Sequence, residues 1–214
     1  MAFPVTRRLV KPFFDLFIKK VNGIENIPIG KPFIISPNQV SLIDTFLVLN
    51  IVFSRVKRMV HVFSTKRLWY MFGGALFCKH WVGLIPVERF DKGKRAIRLA
   101  TRLLRKGKCV LIFPEGKVSD DGRMNRGKTG IARLVLNAEV PVIPVGIIGT
   151  RKILSKGKAI PRLRKEAIIS FGKPMTFEKY YGKTVSYNLL RKLTDSIMKE
   201  IARLSSQDYD PNKF

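Results

Sequence analysis

Apolar runs too short to span a membrane, separated for the most part by stretches with helical periodicity, leave this chain few architectures to adopt. The runs are Pro32–Ser36, Arg58–Phe63, Gly83–Val87, Cys109–Phe113, Val142–Ile148 and Ala167–Phe171. The helical patterns are Ser41–Phe53, Lys66–Phe77, Lys92–Lys106, Thr129–Asn137 and, after the last run, Tyr187–Ser205. Strands joined through helices are crossover-connected, which predicts an α/β layered fold with a central, mostly parallel sheet flanked by helices. Such folds carry function in loops beyond the carboxyl ends of their strands. A length of 214 residues fits one domain, and 46% apolar residues against 26% charged exclude a disordered chain. No internal repeat or low-complexity tract interrupts the pattern.

Charge narrows the partners. The chain has 41 Lys and Arg against 15 Asp and Glu, a formal net charge of +26, and such a field concentrates nucleic acid, anionic bilayers or phosphorylated substrates. No helix-turn-helix, RNP aromatic pair or zinc finger is present, so no specific nucleic-acid partner is expected. Two cysteines, Cys78 and Cys109, make no disulfide framework and no Cys/His cluster; no metal and no cofactor is expected, and a reducing, cytosolic setting is. The longest apolar stretches, Thr45–Phe53 and Val140–Gly149, reach half of the ~20 residues a membrane-spanning helix needs. Near the start, Val5, Leu9, Val10, Phe13, Phe14, Leu16, Phe17 and Val21 recur at helical spacing with Arg7, Arg8, Lys11, Lys19 and Lys20 around them. That pattern suits a basic amphipathic helix on a membrane surface, or equally one packed on the domain core. The parse is then a membrane-surface helix over 1–24, a catalytic-size domain over 25–206 and a frayed tail over 207–214.

Four segments could carry chemistry. Gly122–Thr129, GRMNRGKT, satisfies the phosphate-loop pattern GxxxxGK[ST], but no strand directly precedes it, Asp120 and Asp121 adjoin it, and no later strand ends in a magnesium-holding Asp. A basic loop ahead of a helix explains it. Ser36–Phe46, SPNQVSLIDTF, reads as a capping box with Ser41 as N-cap and Asp44 in the first turn. Val110–Ser119, VLIFPEGKVS, places Glu115 and Gly116 at a strand end, where the carboxylate either binds hydroxyls or orients the loop. Val82–Lys92, VGLIPVERFDK, delivers Arg89, whose forked donors suit a phosphate or a surface ion pair.

Together these segments resemble the lysophosphatidic acid acyltransferase (1-acyl-sn-glycerol-3-phosphate acyltransferase) family. That family reads NHxxxxD, then a short run ending in Arg, then FPEG followed by Thr-Arg-Ser, then VPVIPV or similar. The chain carries Asn38-Gln39 with Asp44, GLIPVER ending at Arg89, FPEGKVS over Phe113–Ser119 and VPVIPV over Val140–Val145. STKRLWYMFGG resembles the family segment whose lysine, here Lys66, contributes to the phosphate site; RGKTGIARLVL and FGKPM fit further downstream. The resemblance spans Pro32–Met175 and implies a glycerolipid acyltransferase-like layered fold. It also implies phospholipid biosynthesis at the cytoplasmic face of a membrane, peripheral or monotopic: acyl transfer from an acyl thioester, acyl-ACP or acyl-CoA, to the 2-hydroxyl of lysophosphatidic acid, giving phosphatidic acid.

Two departures bear on that reaction. Gln39 stands where the family has its histidine, and neither His61 nor His80 is followed by Asp five positions later. The family imidazole takes the hydroxyl proton while the aspartate orients it; a carboxamide has no usable basicity. General-base catalysis is typically worth ~10²–10⁴ in rate, so turnover is expected to be crippled. Replacement of the histidine in an active enzyme, or a natural member that lost or rerouted its chemistry, would each leave this pattern; the intact surroundings favour the first. The other departure is Lys117-Val118 in place of Thr-Arg, which leaves Lys117, Arg123 and Lys128 as the candidates for the missing cation. On the resemblance, Gln39 and Asp44 occupy the catalytic positions, Lys66 and Arg89 hold the phosphate, and Glu115, Gly116 and Lys117 shape the substrate pocket, with lysophosphatidic acid, the acyl carrier and an anionic membrane as partners. The alternatives are a noncatalytic lipid-binding relative and a basic nucleic-acid-binding module.

Overall fold

A computed structural model describes residues 11–56, 58–65, 83–87, 93–158 and 160–213. Its strands are β1 Ile18–Asn22, β2 Ile34–Pro37, β3 Val60–Thr65, β4 Gly83–Val87, β5 Cys109–Leu111, β6 Val142–Ile148 and β7 Ala167–Phe171. Its helices are α1 Asp44–Val56, α2 Lys94–Arg105, α3 Gly130–Ala138, the single turn α4 Thr150–Ile153 and α5 Tyr187–Leu204. The seven strands form one sheet in the order β1-β7-β6-β2-β5-β3-β4. All neighbouring pairs are parallel except β6 with β7, so the expected mostly parallel sheet is present.

Alternation of side chains across the central strands builds a core on each face, as the period of two requires. Ile35, Cys109, Leu111, Ile143, Val145 and Ile147 point to the side covered by the apolar stripe of α1. Ile34, Val110, Ile112 and Val142 point to the side covered by α2, α3 and α5. The central strands are apolar on both faces because both are covered. Cys109 is buried and its burial pushes the thiol pKa up, in keeping with an inert packing role.

The N-terminal expectation is corrected at its end, and residues 1–10 of it lie outside the described residues. Residues 11–15 are helical, but the chain turns at 16–17 and Ile18–Asn22 is strand β1, paired in parallel with β7. Ile18 and Val21 fit a helical stripe by spacing alone; the open edge of β7 offers them a hydrogen-bonded ladder, and that tertiary contact overrides the local pattern. The boundary at residue 24 therefore falls after a strand of the domain's own sheet. Phe17 is fully buried and Phe14 stacks on Phe46 of α1, while Phe13 and Leu16 stay 47% and 56% exposed. The tail departs from expectation as well: the Tyr209 hydroxyl donates to Asp195 Oδ1 at 2.8 Å, and Pro211–Lys213 forms a 3-10 turn. The helix expected over Lys66–Phe77 lies outside the described residues.

One glycine sets how closely α5 approaches the sheet. A Cβ on Gly146 of β6 would stand 2.2 Å from the Leu204 carbonyl carbon and 2.4 Å from its oxygen, at the end of α5. Backbone cannot swing aside as a side chain can, so a methyl group there lifts the helix end from the sheet. Gly146→Ala is expected to destabilise the protein by about 1–3 kcal/mol, the usual cost of overpacking a core, measured as a shift in the urea unfolding midpoint.

Candidate active site

The site lies beyond the carboxyl ends of β2 and β5, and sheet register brings its two halves level. Ile35 pairs with Leu111, and four residues further along each chain stand Gln39 and Glu115. Burial of Glu115 is nearly complete, at 2% exposure, and its carboxylate is fully engaged. Oε1 accepts the Gln39 N–H at 2.9 Å; Oε2 accepts the Asn125 backbone N–H at 2.7 Å and its Nδ2 at 2.9 Å. The Ser119 N–H donates in turn to the Gln39 carbonyl at 2.9 Å. Of the two roles open to a strand-end carboxylate, Glu115 performs the orienting one.

Asp44 continues the same clamp. Its Oδ2 accepts the N–H groups of Val40 and Ser41, both at 2.8 Å. Three consecutive amides, 39, 40 and 41, are thus held by two buried carboxylates on different segments. The capping box is half formed: Asp44 reaches back to Ser41 as expected, but the Ser41 hydroxyl donates to the Leu154 carbonyl at 2.6 Å, tying the loop to the connection after β6. Asn38 fixes the other flank, exchanging hydrogen bonds with the Ile147 backbone at 2.7 and 3.0 Å.

The electrostatics follow from burial. Asp44 is fully buried, which pushes its pKa up to about 7 from an ordinary 3.8. The Thr150 hydroxyl and the two amides work against this shift, and the Glu115 charge adds to it. Thr150 lies near the carboxyl without closing a hydrogen bond to it: Asp44 Oδ1 and Thr150 Oγ1 are both buried and unpartnered among the described residues. Glu115 is likewise raised by burial, against the pull of the Asn125 and Gln39 donors.

Of the residues expected at the site, Gln39, Asp44, Glu115 and Gly116 come together, and Lys117 follows on the exposed rim, 3.6 Å from Asp120. Lys66 and Arg89 lie outside the described residues; β3 and β4, which end at Thr65 and Val87, run parallel to β5. Lys128 closes over the glycine turn, with Nζ 2.8 Å from where a Gly116 Cβ would stand. Arg123 is paired with Asp121 at 3.9 Å. Asn125 and Thr150 were not singled out from the sequence. Asn125 sits inside the GRMNRGKT segment, whose function here is to turn a donor pair onto Glu115; its proximity to a strand-end carboxylate was the signal available.

The raised carboxyls give stability a definite slope. Between about pH 4 and 7 the folded protein keeps a proton on Asp44 that the unfolded chain has released, so unfolding free energy falls as pH rises through that window and levels off above it. Glu115 acts in the same direction. Urea midpoints measured at pH 5 and pH 8 should drop more for the parent than for Asp44→Asn, which has no such proton to lose.

Comparison with known proteins agrees with this architecture. The profile of the Acyltransferase family matches residues 19–148, from β1 to the end of β6. A chloroplastic 1-acyl-sn-glycerol-3-phosphate acyltransferase of Brassica napus is 28% identical over 151 residues, covering 69% of this chain and 41% of its own. One from Bacillus subtilis is 26% identical over 196 residues, covering 88% of each. The chain thus spans about two fifths of the plant relative and most of the bacterial one. The crystal structure of the 1-acyl-sn-glycerophosphate acyltransferase of Thermotoga maritima superposes with a TM-score of 0.66 at 23% identity, covering 97% of this chain and 84% of that one, which shows a shared fold. With more than half of its length matched by the family profile, the chain belongs to the Acyltransferase family.

Proposed function

We propose that the protein is built for acyl transfer from an acyl thioester, carried by acyl carrier protein or coenzyme A, to the 2-hydroxyl of lysophosphatidic acid, and that Gln39 holds this chain to a low rate. The observation that carries the proposal is the clamp on residues 39–41. A loop whose consecutive amides are tied to two buried carboxylates presents position 39 in one orientation, which is the preorganisation a proton-accepting side chain needs. Among the described residues the same arrangement leaves Asp44 Oδ1 buried without a hydrogen bond, with the Thr150 hydroxyl nearby but not closing one. An imidazole at position 39 would offer the N–H that such an oxygen lacks, fixing its own tautomer as the aspartate of a catalytic dyad does. A carboxamide can donate a hydrogen bond, but it cannot take the hydroxyl proton as the oxygen attacks the thioester carbonyl.

On this reading the substrate phosphate is met by cations at the rim. Lys128, whose ammonium lies over Gly116, stands nearest the turn, whereas Lys117 and Arg123 face Asp120 and Asp121. Lys128 then takes the part of the arginine missing at Val118, as a point charge without the guanidinium fork. Peripheral attachment at the cytoplasmic face of a membrane belongs to the same reading. Its supports are the +26 charge, which suits an anionic leaflet, and the exposed Phe13 and Leu16 beside Lys11. No helix among the described residues is long and apolar enough to cross a bilayer.

The test is acyl transfer to lysophosphatidic acid by the parent chain and by Gln39→His, with acyl carrier protein and coenzyme A thioesters in parallel. Gln39→His should raise kcat by ~10²–10⁴, the usual worth of a positioned general base. Equal, vigorous turnover by both forms would contradict the assignment of position 39. Tight binding of lysophosphatidic acid without turnover by either would instead favour a noncatalytic lipid-binding protein.

A further inference from the structure

The connection between α4 and β7 holds the most exposed large aliphatic side chains among the described residues. Ile160 is 83% and Leu163 76% exposed, on either side of Pro161. Lys158, Arg162, Arg164 and Lys165 flank them, all exposed. The acid of this stretch, Glu166, is occupied by Lys152 at 3.4 Å, so the connection presents a positive field around two apolar tips.

This segment is anchored beneath its tips. The Arg162 N–H donates to the Ile153 carbonyl at 2.8 Å and the Lys158 N–H to Ser155 at 3.1 Å. Its start is tied to the site loop through Ser41 and Leu154, and Lys156 pairs with Asp120 on the loop that follows Glu115. It therefore borders the site. The N-terminal segment reaches the same edge, because the Phe17 carbonyl accepts the Ala167 N–H at 2.9 Å where β7 begins. Phe13 and Leu16 precede that point, so two separate pairs of exposed apolar side chains lie at the β1–β7 edge of the sheet, at the same end as the site. Ile29, 61% exposed, precedes β2 and lies at the opposite end.

We infer that the α4–β7 connection is a second membrane contact, which inserts Ile160 and Leu163 into the interface of an anionic bilayer while its cations meet lipid phosphates. Two aliphatic tips ringed by cations match the chemistry of that boundary, apolar below and anionic at the headgroups. The contact would turn the mouth of the site toward the lipid. It extends the proposed function without depending on turnover, since its readout is binding.

The experiment measures partitioning of the full chain onto vesicles of phosphatidylglycerol with phosphatidylcholine, and of phosphatidylcholine alone. Ile160→Ser/Leu163→Ser should bind the anionic vesicles at least about tenfold more weakly than the parent, from the loss of buried aliphatic surface. Ile29→Ser should match the parent. Both variants alter exposed side chains, and unchanged urea midpoints verify that they fold. Arg162→Gln/Arg164→Gln/Lys165→Gln should lose affinity for anionic vesicles and little for neutral ones. Parent-like binding by Ile160→Ser/Leu163→Ser, an equal loss in Ile29→Ser, or failure of the parent to bind either vesicle would overturn the inference. So would intact vesicle binding with lost capture of an acidic acyl carrier protein, which would assign the connection to a protein partner. A chain that transfers no acyl group yet partitions through this connection would leave the inference standing and the proposed function in difficulty.

Discussion

Two buried carboxylates gripping three successive backbone amides are the constraint from which the rest of the site takes its shape. Glu115 arrives at the end of β5 and Asp44 at the start of α1, and between them they hold the N–H groups of residues 39, 40 and 41. Amides in a buried loop must find acceptors or lose stability. Here the acceptors are buried carboxyls, whose hydrogen bonds are stronger than those of neutral carbonyls once they ionise. The loop thus acquires the order of a secondary-structure element without being one, and residue 39 inherits that order. Asn125 completes the arrangement by covering the other Glu115 oxygen with two donors.

Such a clamp has an electrostatic cost, visible in the carboxyls themselves. Taking Asp44 out of water favours its neutral form, and the amides that solvate Oδ2 do nothing for Oδ1. Among the described residues Asp44 Oδ1 makes no hydrogen bond, so the ionised carboxylate is a buried acceptor open to a further donor. This gives physical content to the difference between histidine and glutamine at position 39. Imidazole has one face to satisfy the acid and a basic nitrogen left for chemistry, whereas a carboxamide supplies a donor without any base.

Much of the framework was legible in the residues. The bounds of β4, β6 and β7 coincide with the apolar runs at Gly83–Val87, Val142–Ile148 and Ala167–Phe171; β6 is apolar throughout because both its faces are covered, whereas β7 alternates buried with half-buried residues. β1 was not legible: Ile18 and Val21 share a helical stripe, and only the edge of β7, far along the chain, makes them a strand. The tail misled for the same reason, since Tyr209 is ordered by Asp195 on α5. At the site, Gln39, Asp44 and Glu115 stood out as letters, but the bonds they make run from side chain to backbone, and backbone donors leave no trace in composition. Asn125 was hidden in a phosphate-loop lookalike, and Thr150 in a turn of four residues.

The clamp and the cation over Gly116 lie beyond the carboxyl ends of β2 and β5, and the exposed apolar pairs lie toward the β1–β7 edge at that same end of the sheet. The clamp requires the loop at 39–41 to be held as rigidly as a strand. Hydrogen exchange of those three amides, followed by NMR, tests this most directly. The account predicts slow exchange at Gln39, Val40 and Ser41 in the parent, release of Gln39 in Glu115→Ala, and release of Val40 and Ser41 in Asp44→Ala. Exchange at all three as fast as in an open surface loop would contradict it.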